Sequence, residues 1–133
     1  MNVLALRIQL ETDLVDLLGQ YTLGNNMRTP AISVRATGES STPNTSVSGL
    51  EAILIRTPRL QPVDTYTNQD SFRIWTLYLI DWDNSGTAPT AASRILSSHP
   101  GTEISTVNVP EGLGPQAQLR LEIRTAPDGD EET

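Results

Sequence analysis

The chain has 133 residues, a formal net charge of −7 and no cysteine. That length suits one domain able to bury roughly two-thirds of the surface its unfolded chain exposes. The charge argues against a general nucleic-acid binder, which needs clustered cations to meet phosphate, and the cysteine count excludes disulfides, thiolate metal sites and cysteine nucleophiles. Leu, Ile, Val and Phe number 33, enough for a folded core. All nine cations are arginine. Arginine suits planar, bidentate pairing at interfaces, although codon usage in a GC-rich genome gives the same bias.

Met1 to Gln20 carries Leu6, Leu10, Leu14 and Leu17 at helical spacing, flanked by Val3, Val15 and Leu18. Asn2 is a candidate cap, and Gly24-Asn25-Asn26 a stop. Leu4, Leu6, Ile8 and Leu10 also alternate as in a strand, but the later leucine cluster favours a helix. The apolar segment is too short for a membrane span, is interrupted by Arg7 and lacks a small-residue cleavage site. An unprocessed cytosolic chain is therefore expected.

After Pro30, AISVRA reads as a short strand, followed by a polar loop from Thr37 to Gly49. Leu50 to Thr57 is a second strand, closed by Pro58, and the loop to Asp70 holds two prolines. Phe72 to Asp83, FRIWTLYLIDWD, is the longest run of β-favouring residues. Alternation puts Phe72, Ile74, Thr76, Tyr78 and Ile80 on one face, and Arg73, Trp75, Leu77, Leu79 and Asp81 on the other. Both faces are mainly apolar, which predicts a central strand covered on both sides, by helices, a second layer or a neighbouring subunit. It should pair with the preceding strand as an antiparallel hairpin with an extended tip.

Pro89 to Leu96 is a short helix whose Ala88, Ala91, Ala92, Ile95 and Leu96 form a stripe for close packing on a sheet. Glu103 to Val109 is a strand with Ile104 and Val107 or Val109 facing the core. Ala117 to Arg124 alternates Leu119, Leu121 and Ile123 with Arg120, Glu122 and Arg124, a strand with one wet face. Residues 1–125 thus form one α+β domain: a mainly antiparallel sheet of four to five strands, with an N-terminal helix and a second short helix on one face. Residues 126–133 have the acidic composition of a disordered tail.

Three constellations bear on chemistry. Asp81-Trp82-Asp83-Asn84-Ser85-Gly86 matches the first half of a calcium loop, but the twelfth position falls on Ala92, which offers no carboxylate. Asp81 and Asp83 share one side of a strand, as an acid–base pair or a divalent-metal hydrolase would need, and as solvated strand-end aspartates also do. His99, the one histidine, lies beside Pro100 at a helix end where the dipole favours imidazolium; its neighbours Ser97 and Ser98 lack a strained nucleophile turn. No phosphate loop or nucleotide fingerprint is present. The expectation is a protein that is no enzyme, with no cofactor and no metal.

The order of a leading helix, PAISV, a long polar loop, a hairpin ending in FRIWTLYLIDWD, an Ala-rich helix and a final GLGPQAQLRLEIR strand resembles the tail-terminator and neck proteins of long-tailed bacteriophages. The acidic ending and the Ser/Thr-rich first loop depart from that pattern. The resemblance implies a virion structural protein at the head–tail junction, made in the host cytoplasm. It would form a ring, most often of six copies, that caps the tail tube and docks to the head-side connector; a neck or head-closure ring is the alternative. Implied partners are copies of itself, the tail tube protein, the sheath protein of a contractile tail and the connector. DNA would pass through the lumen without specific binding, and no membrane is involved. Loop length and large exposed residues nominate contacts at Ser41, Asn44 and Val47, at Arg56, Arg59 and Tyr66, and at Arg73, Trp75 and Trp82. Competing readings are a monomeric ligand-binding module with a polar pocket between loops and a hydrolase holding a metal on Asp81 and Asp83.

Overall fold

The computed structural model describes residues 2–36, 46–62, 71–82, 87–106 and 117–125. In chain order these form α1 (Val3–Asp13), β1 (Gln20–Thr22), β2 (Arg28–Pro30), β3 (Ile32–Arg35), β4 (Ser46–Ser48), β5 (Leu50–Ile55), β6 (Arg59–Pro62), β7 (Ser71–Asp81), α2 (Thr87–Ser98), β8 (Glu103–Thr106) and β9 (Ala117–Thr125). The protein is α+β. One sheet has the order β3-β5-β7-β9-β8, with β6 also paired to β7, and a second has the order β2-β1-β4.

The central strand is β7, which pairs antiparallel with β9 along nine residues from Arg73↔Thr125 to Asp81↔Ala117. Its other edge is shared by β5 and β6, both antiparallel to it. Leu54 faces Leu77 and Arg59 faces Ile74, so the four residues 55–58 oppose only Trp75 and Thr76. Such a bulge bends the strand and leaves a hollow beside it. Pro58, expected to end the strand, falls inside this bulge, where its missing N–H removes no ladder bond.

Among the described residues, helices cover one face only. Trp75, Leu77 and Leu79 of β7, Leu121 and Ile123 of β9 and Leu50, Ala52 and Leu54 of β5 form one core with Leu6, Leu10 and Leu14 of the N-terminal segment and Ala88, Ala91, Ala92 and Ile95 of α2. Burying each leucine or isoleucine contributes about 1.5–3 kcal/mol. Alanines at the contact let α2 lie close on β7 and β9. The other face of β7 keeps Phe72, Thr76, Tyr78 and Ile80 half-exposed, with only Ile74 buried. The expected cover on both sides is thus missing from one of them within the described residues.

Several expectations shift. The first helix ends at Asp13, not Gln20; its Asn2 cap accepts the Ala5 N–H at 2.9 Å as expected. Val15, placed on its buried stripe, is exposed because the helix has already ended. Gly24-Asn25-Asn26 turns the β1–β2 hairpin, with Asn26 at φ 65°, rather than stopping a helix. Residues 46–48 and 59–62, expected in loops, are strands. The central strand ends at Asp81, two residues early, and α2 begins at Thr87, two residues before Pro89. Leu96 and Ile104, expected in the core, are exposed. Residues 37–45, 63–70, 83–86, 107–116 and 126–133, including Val107, Val109 and the acidic ending, lie outside the described residues.

The two sheets meet at a fork. β2 runs through Ala31 into β3, and β4 runs through Gly49 into β5. Beyond the fork β3 and β5 pair directly, in parallel; before it, β1 lies between β2 and β4 and pairs with both. Gly19 sits at the crotch, donating its N–H to the Leu50 carbonyl at 2.8 Å and accepting from the Ala31 N–H at 3.1 Å. A Cβ at Gly19 would stand 1.7 Å from the Ser48 carbonyl oxygen, so no side chain fits. Gly49 turns its strand at φ 76°, a conformation that favours glycine.

Candidate interaction surface

The open face of the large sheet is built by alternation. Glu51, Ile53 and Ile55 of β5, the even-numbered residues of β7, Arg120, Glu122 and Arg124 of β9 and Glu103 and Ser105 of β8 share it, as their cross-strand registers require. Aliphatic and aromatic side chains therefore run down the middle, with charges to either side.

At the fork end, Glu51 is 3% exposed. One carboxylate oxygen accepts the Tyr21 hydroxyl at 2.6 Å and Arg35 Nη2 at 3.2 Å; the other accepts Trp82 Nε1 at 2.9 Å. The Tyr21 hydroxyl also lies 3.1 Å from Ser33 Oγ. Burial, reinforced by the neighbouring Glu51 carboxylate, pushes the Tyr21 phenol up to about 12. The small sheet, β3, β5 and the end of β7 are thus joined through one buried carboxylate.

At the bulge end, Arg59 pairs with Glu122 at 3.0 Å, and the Arg124 guanidinium stacks 4.7 Å from the Phe72 ring centre. Two hollows flank Arg59. One, of about 160 Å³, lies towards Gly101, Glu103 and Arg124; the other, of about 290 Å³, towards Tyr78, Thr76 and Arg120. Among the described residues neither Arg120 nor Arg124 has an ion-pair partner.

The predicted contact residues scatter. Arg59 stands on this face and Arg56 is exposed in the bulge beside it. Trp82, at the end of β7, is held to Glu51 while keeping 39% of its surface in solvent. Val47 is half-buried opposite Tyr21 in the small sheet, and Arg73 is half-buried opposite Thr125. Trp75 is a correction: it is buried on the helix-covered side with its indole N–H donating to Thr125 Oγ1 at 3.1 Å, so it offers no surface. Ser41, Asn44 and Tyr66 lie outside the described residues. Sequence reasoning missed Tyr78, Arg120 and Arg124 as surface groups of one patch, although their positions on alternating strands pointed to a shared wet face.

The candidates for chemistry are placed elsewhere. Asp81 is fully buried and accepts the Thr87 N–H at 3.0 Å, capping the start of α2; Asp83 is outside the described residues. Among the described residues no group of three His, Asp or Glu side chains is placed to hold a metal ion. Burial lowers the affinity of His99 for a proton, opposed by Asp13, so the expected dipole-stabilised imidazolium is overridden by desolvation. Among the described residues no helix is long and apolar enough to cross a membrane.

No family model matches the chain, and neither does any curated protein or solved structure.

Proposed function

We propose that the chain is a structural protein of a long-tailed bacteriophage virion, forming a ring at the head–tail junction. In this reading the ring caps the tail tube, meets the head-side connector on its other side, and lets DNA pass without gripping it. The observation that carries it is the half-covered sheet. A strand apolar on both faces needs cover on both, and among the described residues only one face has it. The remaining face holds apolar side chains between arginines, the composition of a protein–protein contact rather than of a catalytic pocket. A net charge of −7 suits a wall beside passing DNA, because like charge prevents sticking.

Partners in this reading are copies of the chain, the tail tube protein, a sheath protein where the tail contracts, and the connector. No residue is assigned a catalytic role. Negative-stain images of the purified chain are expected to contain annular particles with a central channel. Fields of featureless particles of one chain's size would contradict the ring.

A further inference from the structure

The sheet face left uncovered among the described residues has a counterpart on the same chain. Leu4, Ile8 and Val15 are 64%, 62% and 69% exposed. Leu4 and Ile8 are four residues apart on α1 and Glu11 follows at a spacing of three, so they form one outward stripe; Val15 stands just beyond the helix end. Leu6, Leu10 and Leu14 anchor the opposite side of that segment in the core. The segment thus has two apolar sides, of which this chain buries one.

We propose that the outward stripe of α1 in one copy packs on the open sheet face of the next copy, making the subunit contact of the assembly. This rests on the ring reading, and names the two surfaces it uses. Three observations select α1 of a second copy as the occupant. An eleven-residue helix is about 16 Å long, and at the level of Tyr78 the five strands from β3 to β8 span about 19 Å, so the helix fits within the width of the face. The stripe carries Glu11, which makes a half-exposed pair with Arg7 at 3.4 Å that a second partner can share, while the face carries Arg120 and Arg124 without ion pairs among the described residues. Tyr78 and Phe72 supply aromatic surface beside those arginines, half-exposed and unclaimed by either helix of their own chain, with Thr76 and Glu122 between them.

Geometry also fixes the type of contact. The stripe points away from the sheet on the helix side, and the open face points the other way. A contact between unlike patches is heterologous: it closes into a ring when the rotation per copy divides a full turn, and otherwise propagates as a filament. Each copy keeps one patch for each neighbour.

The cysteine-free chain makes the test specific. Chains carrying only Ile8→Cys are mixed with chains carrying only Tyr78→Cys and treated with a short bismaleimide. Cross-linked pairs containing one of each are expected, whereas Met27→Cys mixed with Tyr78→Cys is expected to give none. In parallel, Ile8→Glu and Arg120→Glu, both at exposed positions and checked for native circular dichroism, are expected to lower the mass in solution to one chain, 14.5 kDa. Adding Glu11→Arg to Arg120→Glu is expected to restore at least part of the assembly. Wild-type assembly that persists in both single variants, without the Ile8–Tyr78 cross-link, would overturn this contact and leave the ring reading standing. Filaments abolished by both variants would uphold the contact and contradict the ring. A wild-type chain monomeric at every concentration would overturn both.

Discussion

Replacing Glu51 tests what holds the small sheet to the large one. Its carboxylate takes three donors in a site almost closed to solvent: Tyr21, Arg35 and Trp82. Hydrogen bonds to a charged group contribute about 1.5–3 kcal/mol each, but the three are not additive. Tyr21 keeps its bond to Ser33, and Trp82 is exposed enough for water to replace the carboxylate. The main cost is then Arg35, 13% exposed at its side chain, which loses the Glu51 carboxylate. Removing one partner of a buried ion pair costs about 3–5 kcal/mol, which sets the expectation for Glu51→Ala. Glu51→Gln keeps the shape and one acceptor oxygen and is expected to cost about 1.5–3 kcal/mol. In urea unfolding followed by tryptophan fluorescence, with a slope of about 2 kcal/mol per molar, the alanine variant should lose about 1.5–2.5 M from its midpoint. A midpoint within about 0.3 M of wild type would refute the idea that this carboxylate joins the sheets.

Three further outcomes are expected. Because the Tyr21 phenol is raised to about 12 in the fold from 10 in the open chain, its contribution is complete below pH 10 and is lost as pH climbs towards 12; Tyr21→Phe should flatten that alkaline decline in a melting-temperature series. His99 is shifted the other way, so the unfolded chain binds the proton more readily and stability should fall as pH drops below about 6.5; in His99→Gln the fall over that range should be shallower. Gly19→Ala forces a Cβ against the Ser48 carbonyl and should cost at least about 2 kcal/mol by denaturant titration, since only backbone movement relieves the overlap.

The large sheet was legible because its alternation is strong. Leu119, Leu121 and Ile123 against Arg120, Glu122 and Arg124 place β9 to within a residue, and the apolar run from Phe72 places β7 in the middle. The alanine stripe likewise located α2. The small sheet was not legible: QYT, RTP and SVS are three residues each, too short for any period to emerge, and they exist because the fork at Gly19 brings them together. β6 escaped notice because two prolines bracket the region, yet its N–H groups are needed only along one edge. Val15 shows a different limit. Helical spacing continued past the point where the backbone stops being helical, and spacing alone carries no stop.

The patch was half legible for a related reason. A strand apolar on both faces announces that something covers each face, but a single chain cannot say whether that cover is its own. Trp75 was misplaced by this ambiguity: large aromatic residues are enriched both in interfaces and in cores, and its neighbours Leu77 and Leu79 put it in the core. Arg59, by contrast, belongs to a stretch that reads as an exposed loop and stands on the open face.

Native mass spectrometry of the intact chain, across a dilution series, addresses self-assembly most directly. Closed assembly predicts one dominant species at a fixed multiple of 14.5 kDa, six being the expected number, with little population between it and the free subunit. A spectrum containing only the 14.5 kDa species at every dilution would mean that the open sheet face is left to solvent, and would contradict the ring.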